Sequence, residues 1–165
     1  MKSNLALTAV AAAALALSAC TTTPPPPPPE PEAPALAPSS FLEKLAADGL
    51  FAFGKSSLDD FSPEGQRALD DLATRLTSGR ALEVVHVIGH SDRIGSAQGN
   101  LRLSTQRAAA VREYLIDRGV PEDRITAVGR GSVEPVVECE GDRGQEVIDC
   151  LAPNRRVEVR VQFAD

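Results

Sequence analysis

Gly89–Arg118 reads GHSDRIGSAQGNLRLSTQRAAAVREYLIDR: the end of an apolar strand, a short glycine-bearing loop, then an amphipathic run. On a helix of 3.6-residue period, Asn100, Leu103, Arg107, Val111, Tyr114 and Leu115 fall on one stripe. The stripe is otherwise apolar, so it faces a core. A guanidinium does not give up its charge, and burying it unpaired is costly. Arg107 therefore needs an anion within reach, and Asp92 on the preceding loop is the candidate. Two readings stay open. The two residues form a structural ion pair that closes the loop against the helix. Alternatively they form a split zwitterion site, with Arg107 for an incoming carboxylate and Asp92 for an incoming ammonium.

Working outward, Gly119 and Pro121 end the helix. Ile125–Val128 reads as a strand, and Arg156–Phe163 alternates, with Val157, Val159 and Val161 on one face and charged or polar residues on the other. Upstream, Leu82–Ile88 is rich in Val and Ile and predicts a buried strand. Ser62-Pro63-Glu64 predicts a helix start, followed by Leu69, Leu72, Ala73 and Leu76 at helical spacing. Leu50–Phe53 is expected to be a short first strand. The order predicts an α/β two-layer sandwich over residues 41–165: a mixed sheet with two helices packed on one face.

The N-terminus reads as a targeting segment. Lys2 supplies the positive charge, Leu5–Leu17 an apolar stretch, and Leu17-Ser18-Ala19-Cys20 a small-residue end. This tetrapeptide resembles the bacterial lipobox, which implies a signal peptide over residues 1–19 and lipidation of Cys20. Several acyl chains hold a protein stably on a membrane where one chain is marginal. Thr21, rather than the Asp of inner-membrane retention, implies an outer-membrane address by the same resemblance. Residues 20–40 form a linker with Pro24–Pro29 in an unbroken run. Such a run adopts polyproline II, so twenty residues at about 3.1 Å each reach roughly 60 Å.

The chain has 165 residues and a net charge of -6, so charge gives no support to nucleic-acid binding. With Cys20 assigned to lipid, Cys139 and Cys150 remain in an exported segment and are expected to form a disulfide. A loop of that size contributes about 3 kcal/mol. His86 and His90 would lie about 13 Å apart on an extended strand, too far to share a small metal ion. No nucleophile has an evident base, and Asp92 has no second carboxylate named by the sequence. No enzyme activity, cofactor or metal is expected.

Gly89–Gly95, Asn100, Leu103-Ser104, Arg107-Ala108, Val111, Tyr114-Leu115, Gly119-Val120, Gly129, Gly131, Pro135 and Asn154–Glu158 together carry a resemblance. Over about Leu50–Phe163 the chain is similar to the OmpA-like peptidoglycan-binding domain of outer membrane protein A and the peptidoglycan-associated lipoproteins. The resemblance implies non-covalent binding of meso-diaminopimelate in cell-wall stem peptides. On matching positions, Asp92 would take the ammonium and Arg107 the carboxylate, with Asn100 and Arg156 at the rim. Arg suits this role because its planar fork meets a carboxylate with two bonds. The implied role is to tether the outer membrane to the wall from the periplasm. The alternative is an envelope protein-interaction module, a scaffold of the Tol system with wall binding secondary.

Overall fold

The computed structural model describes residues 39–51, 55–142 and 144–164. The leader, Cys20 and nearly all of the proline-rich linker lie outside them. Four strands form one sheet in the order β1-β4-β2-β3, where β1 is Ser40–Ala46, β2 Leu82–Gly89, β3 Ile125–Gly129 and β4 Arg156–Phe163. The β4 strand runs antiparallel to both β1 and β2, while β2 and β3 are parallel, so the sheet is mixed as expected.

The two long helices follow their local signals. Helix α2, Pro63–Leu76, comes after the short α1, Ala47–Leu50. It begins where Ser62 caps it, the hydroxyl accepting from the Gly65 amide at 2.9 Å, with Pro63 in the first turn. Helix α3 is Ala97–Asp117. Ser96 caps it, accepting from Gly99 N at 3.1 Å. Leu69, Leu72 and Leu76 of α2 and Ala108, Val111 and Leu115 of α3 bury against Val85, Val87, Val157, Val159 and Val161 of the sheet. The alternation along β4 thus delivers its three valines to the helical layer.

Helix α3 also lies unusually close to the sheet. A Cβ added at Gly89 would collide with the Ser104 carbonyl, and one at Gly129 with Thr105. Only glycine permits this approach. The fully buried helix position is accordingly Ser104, while Leu103 is half-buried. The Ser104 hydroxyl donates to Leu101 O and accepts from Gly131 N, both at 2.9 Å.

One expectation needs correction. The first strand is Ser40–Ala46, not Leu50–Phe53. Leu50 ends α1, and Phe51 makes an isolated bridge to Phe61; Ala52 and Phe53 lie outside the described residues. A short apolar run says that a segment is buried, not that it joins a sheet, and Leu50 and Phe51 are core. The outer face of β4 is partly buried as well. Arg156 and Glu158 are buried, and both guanidinium ends of Arg156 reach Glu134 O at 3.4 Å from the segment after β3.

Candidate functional site

The loop from β2 to α3 is held at its start by backbone bonds: His90 N to Arg156 O and Ser91 N to Gly131 O, each 2.9 Å. Asp92 then turns the chain, its Oδ1 accepting from Ile94 N at 2.8 Å. Asn100, in the first turns of α3, donates from Nδ2 to Asp92 O at 3.0 Å and to Ile94 O at 3.2 Å. Asn100 is therefore a brace for the Asp92 loop. It is not the helix cap, which is Ser96.

Asp92 and Arg107 open onto one pocket of about 280 Å³. Asn100 and Ser91 line it too, as do Asp48 and Arg155. Its apolar wall is Ile94, Leu103 and Ile148. Among the described contacts Asp92 and Arg107 do not form an ion pair. The other Asp92 oxygen, Oδ2, accepts from Arg155 Nη1 at 2.9 Å. Arg155 also clasps Asp48 with Nη2 at 2.7 Å and Nε at 2.9 Å from Oδ2, and donates to Ile148 O at 3.0 Å. Asp92 does have an ion pair, but its cation is Arg155, just before β4, so the pair does not close the loop against α3.

Arg107 is 4% exposed. Its Nε donates to Lys55 O at 3.2 Å, and its Cζ lies 5.6 Å from the Phe51 ring centroid. Its Nη1 is buried and has no hydrogen-bond partner among the described residues. Burial lowers the Arg107 pKa; Asp48 is the strongest charge opposing that, Arg155 reinforces it and Asp92 opposes it more weakly. The guanidinium remains charged in any case. Arg155 is shifted the other way, chiefly by its hydrogen bonds to Asp48, against burial and with help from Asp92. The pocket thus holds two carboxylates and two guanidiniums, of which one guanidinium keeps an unused buried donor.

Arg156 does not line this pocket. It points to the outer face of β4, where Nε donates to Glu158 Oε1 at 2.8 Å. Consecutive side chains at the start of a strand leave on opposite faces, so the pocket receives Arg155 instead. Asp48 and Ile148 were also beyond sequence reasoning, since each reaches the site only through the tertiary fold. The resemblance implied Arg156 at the rim, whereas the residue that lines this pocket is its neighbour Arg155. Cys139 and Cys150 are bonded, with Cα atoms 6.2 Å apart. Cys150 ends α4, Gln145–Cys150, the helix that carries Ile148 to the pocket. Of the histidines, His86 Nδ1 lies 2.8 Å from Thr126 Oγ1. His90 is buried on the outer face, and burial first, then Arg156, depresses its pKa.

The OmpA family model matches residues 50–148. Outer membrane protein A of Shimwellia blattae is 47% identical over 122 residues, covering 72% of this chain and 49% of that relative, so the chain spans about half its length. Among solved structures, the cell wall anchor of the T6SS from Pseudomonas aeruginosa superposes with TM-score 0.60 at 30% identity, covering 76% of this chain and 82% of that one. The peptidoglycan-associated lipoprotein from Burkholderia pseudomallei gives TM-score 0.53 at 25% identity, covering 73% and 89%. The chain belongs to the OmpA family.

Proposed function

We propose that this chain is an outer-membrane lipoprotein that grips peptidoglycan through the meso-diaminopimelate of stem peptides. The free end of that residue carries an ammonium and a carboxylate on one carbon. Arg107 takes the carboxylate, and Asp92 takes the ammonium with Asp48 beside it. Asn100 and Arg155 hold Asp92 in place. The observation that carries this reading is the buried Arg107 Nη1, left without a partner in a pocket that also presents two carboxylates. A buried unsatisfied donor costs about 1–3 kcal/mol, and an incoming carboxylate would recover it with a charge-assisted bond. The relative named a cell wall anchor and the one named a peptidoglycan-associated lipoprotein support the same reading.

Lipid on Cys20 completes the tether, with the proline-rich linker as spacer between membrane and wall. Labelling cells with an alkyne fatty acid should tag the wild type and leave Cys20→Ser untagged. Equal tagging of both would remove the anchor from the account. For the wall site, purified peptidoglycan should sediment the wild type. Walls carrying Lys in place of diaminopimelate should not, since Lys lacks the second zwitterion centre. Normal sedimentation with Lys-type walls would sink the proposed ligand. Arg107→Lys should bind nearly as badly as Arg107→Ala, because a point charge does not reproduce the fork.

A further inference from the structure

The Asp92–Arg107 pocket shares a wall with a second cavity of about 260 Å³. Ser91 lines both. On the other side of the partition, consecutive residues divide between them: Asn154 lines the second cavity and Arg155 the first. Ser91 is 5% exposed, and its hydroxyl makes no hydrogen bond among the described residues. Its backbone amide is already spent on Gly131 O. The partition between the cavities therefore carries one buried polar group that a ligand could satisfy.

The second cavity is built rigidly. The Asn154 side chain accepts from Val136 N at 2.8 Å and Val137 N at 3.0 Å, and donates to Val137 O at 2.8 Å. Arg93 Nη2 donates to Cys139 O at 3.0 Å and to Gly141 O, tying the Asp92 loop to the disulfide-closed segment. Pro135, Val137 and Leu151 give the cavity an apolar side, and Ser132, Arg93 and Glu138 give it a polar one. With Arg93 already engaged by two backbone carbonyls, the apolar side beside these polar groups suits a peptide unit with a small apolar side chain.

We propose that this cavity is a subsite for the residue peptide-bonded to the amino acid held between Asp92 and Arg107. That residue is small and apolar, such as alanine, and its backbone carbonyl accepts from the Ser91 hydroxyl. The proposal rests on the wall-binding reading above. A free amino acid fills the first pocket only, whereas a stem that continues past the anchored residue reaches both.

The test is calorimetric titration of the intact protein with free meso-diaminopimelate, the tripeptide that ends in it, and the tetrapeptide with alanine added after it. The tetrapeptide should bind the wild type about tenfold more tightly than the tripeptide. Val137→Trp fills the cavity with a side chain at a position whose only polar contacts are backbone ones. It should erase the tetrapeptide gain and leave free diaminopimelate unchanged. Ser91→Ala should cut the gain by about threefold. Equal wild-type affinity for the two peptides would overturn the subsite, and that comparison needs no variant. A gain that survives Val137→Trp, or a Val137→Trp that weakens all three ligands alike, would overturn it too. If the wild type binds none of the three, the wall-binding reading itself fails, a different and distinguishable result.

Discussion

Arg107 and Arg156 are both buried, 4% and 7% exposed, and both keep a full charge, yet the chain treats them differently. On the outer face of the sheet, Arg156 pairs with Glu158 at 2.8 Å, Glu158 pairs again with Arg160 at 2.9 Å, and Glu134 O closes the remaining side. On the helical face, among the described residues, Arg107 has a backbone acceptor in Lys55 O and a buried nitrogen with none. The first is a finished ion pair, which the fold keeps for itself. The second is an unfinished one, opening onto a pocket with carboxylates nearby. Burial and charge alone do not separate these two arginines; the state of each donor does.

The strongest break of this comparison is substitution of each arginine in turn. Arg107→Ala should lower wall binding by about a thousandfold, the loss of two charge-assisted bonds. Its melting temperature should stay near wild type, because the lost side chain was not fully satisfied. Arg156→Ala should do the reverse. It strands Glu158 in a buried setting and should cost about 3 kcal/mol in chemical denaturation, while the folded fraction still sediments with walls. If Arg156→Ala instead abolished binding in a stable protein, the division of roles would be wrong.

Reduction of Cys139–Cys150 should act on both properties at a smaller scale. Freeing the loop should lower stability by about 2–3 kcal/mol. It should also weaken wall binding several-fold, because α4 supplies Ile148 to the pocket and Ile148 O holds Arg155. Unchanged binding after reduction would show that this wall is set without the disulfide.

The smallest effect is a pH slope on the finished side. Burial, then Arg156, lowers the His90 pKa, so the unfolded chain takes up a proton at higher pH than the folded one. The His90 contribution is complete above its unfolded value of about 6.5 and is lost as pH falls from there through the folded value. Glu158 adds to the slope at lower pH. Burial would raise its carboxyl, but hydrogen bonds from Arg156 and Arg160 outweigh this and hold it low. Its contribution is present above the ordinary glutamate value and lost as pH falls through the folded one. His90→Asn should flatten the denaturation midpoint between about pH 5 and 7. A slope unchanged in that variant would assign it to other groups.

What the sequence disclosed follows from how local each feature is. The Ser62-Pro63 start, the Val157-Val159-Val161 alternation and the apolar stripe of α3 are written within a few residues, and all three appear in the fold. Asp92 and Arg107 share a pocket because a single loop and helix carry both. Asp48 was out of reach, since it meets Arg155 across 107 positions of sequence. The choice between Arg155 and Arg156 depends on where β4 begins, a one-residue matter that decides the face. The first strand was misplaced because Phe41 and Leu45 are only half-buried at the sheet edge, while Leu50-Phe51 announces its burial more loudly.

Titration of the intact protein with free meso-diaminopimelate tests the central claim most directly. Saturable binding by the wild type and by Arg156→Ala, lost in both Asp92→Ala and Arg107→Ala with their folds intact, is the predicted result. Binding by Arg107→Ala as tight as by the wild type would contradict it.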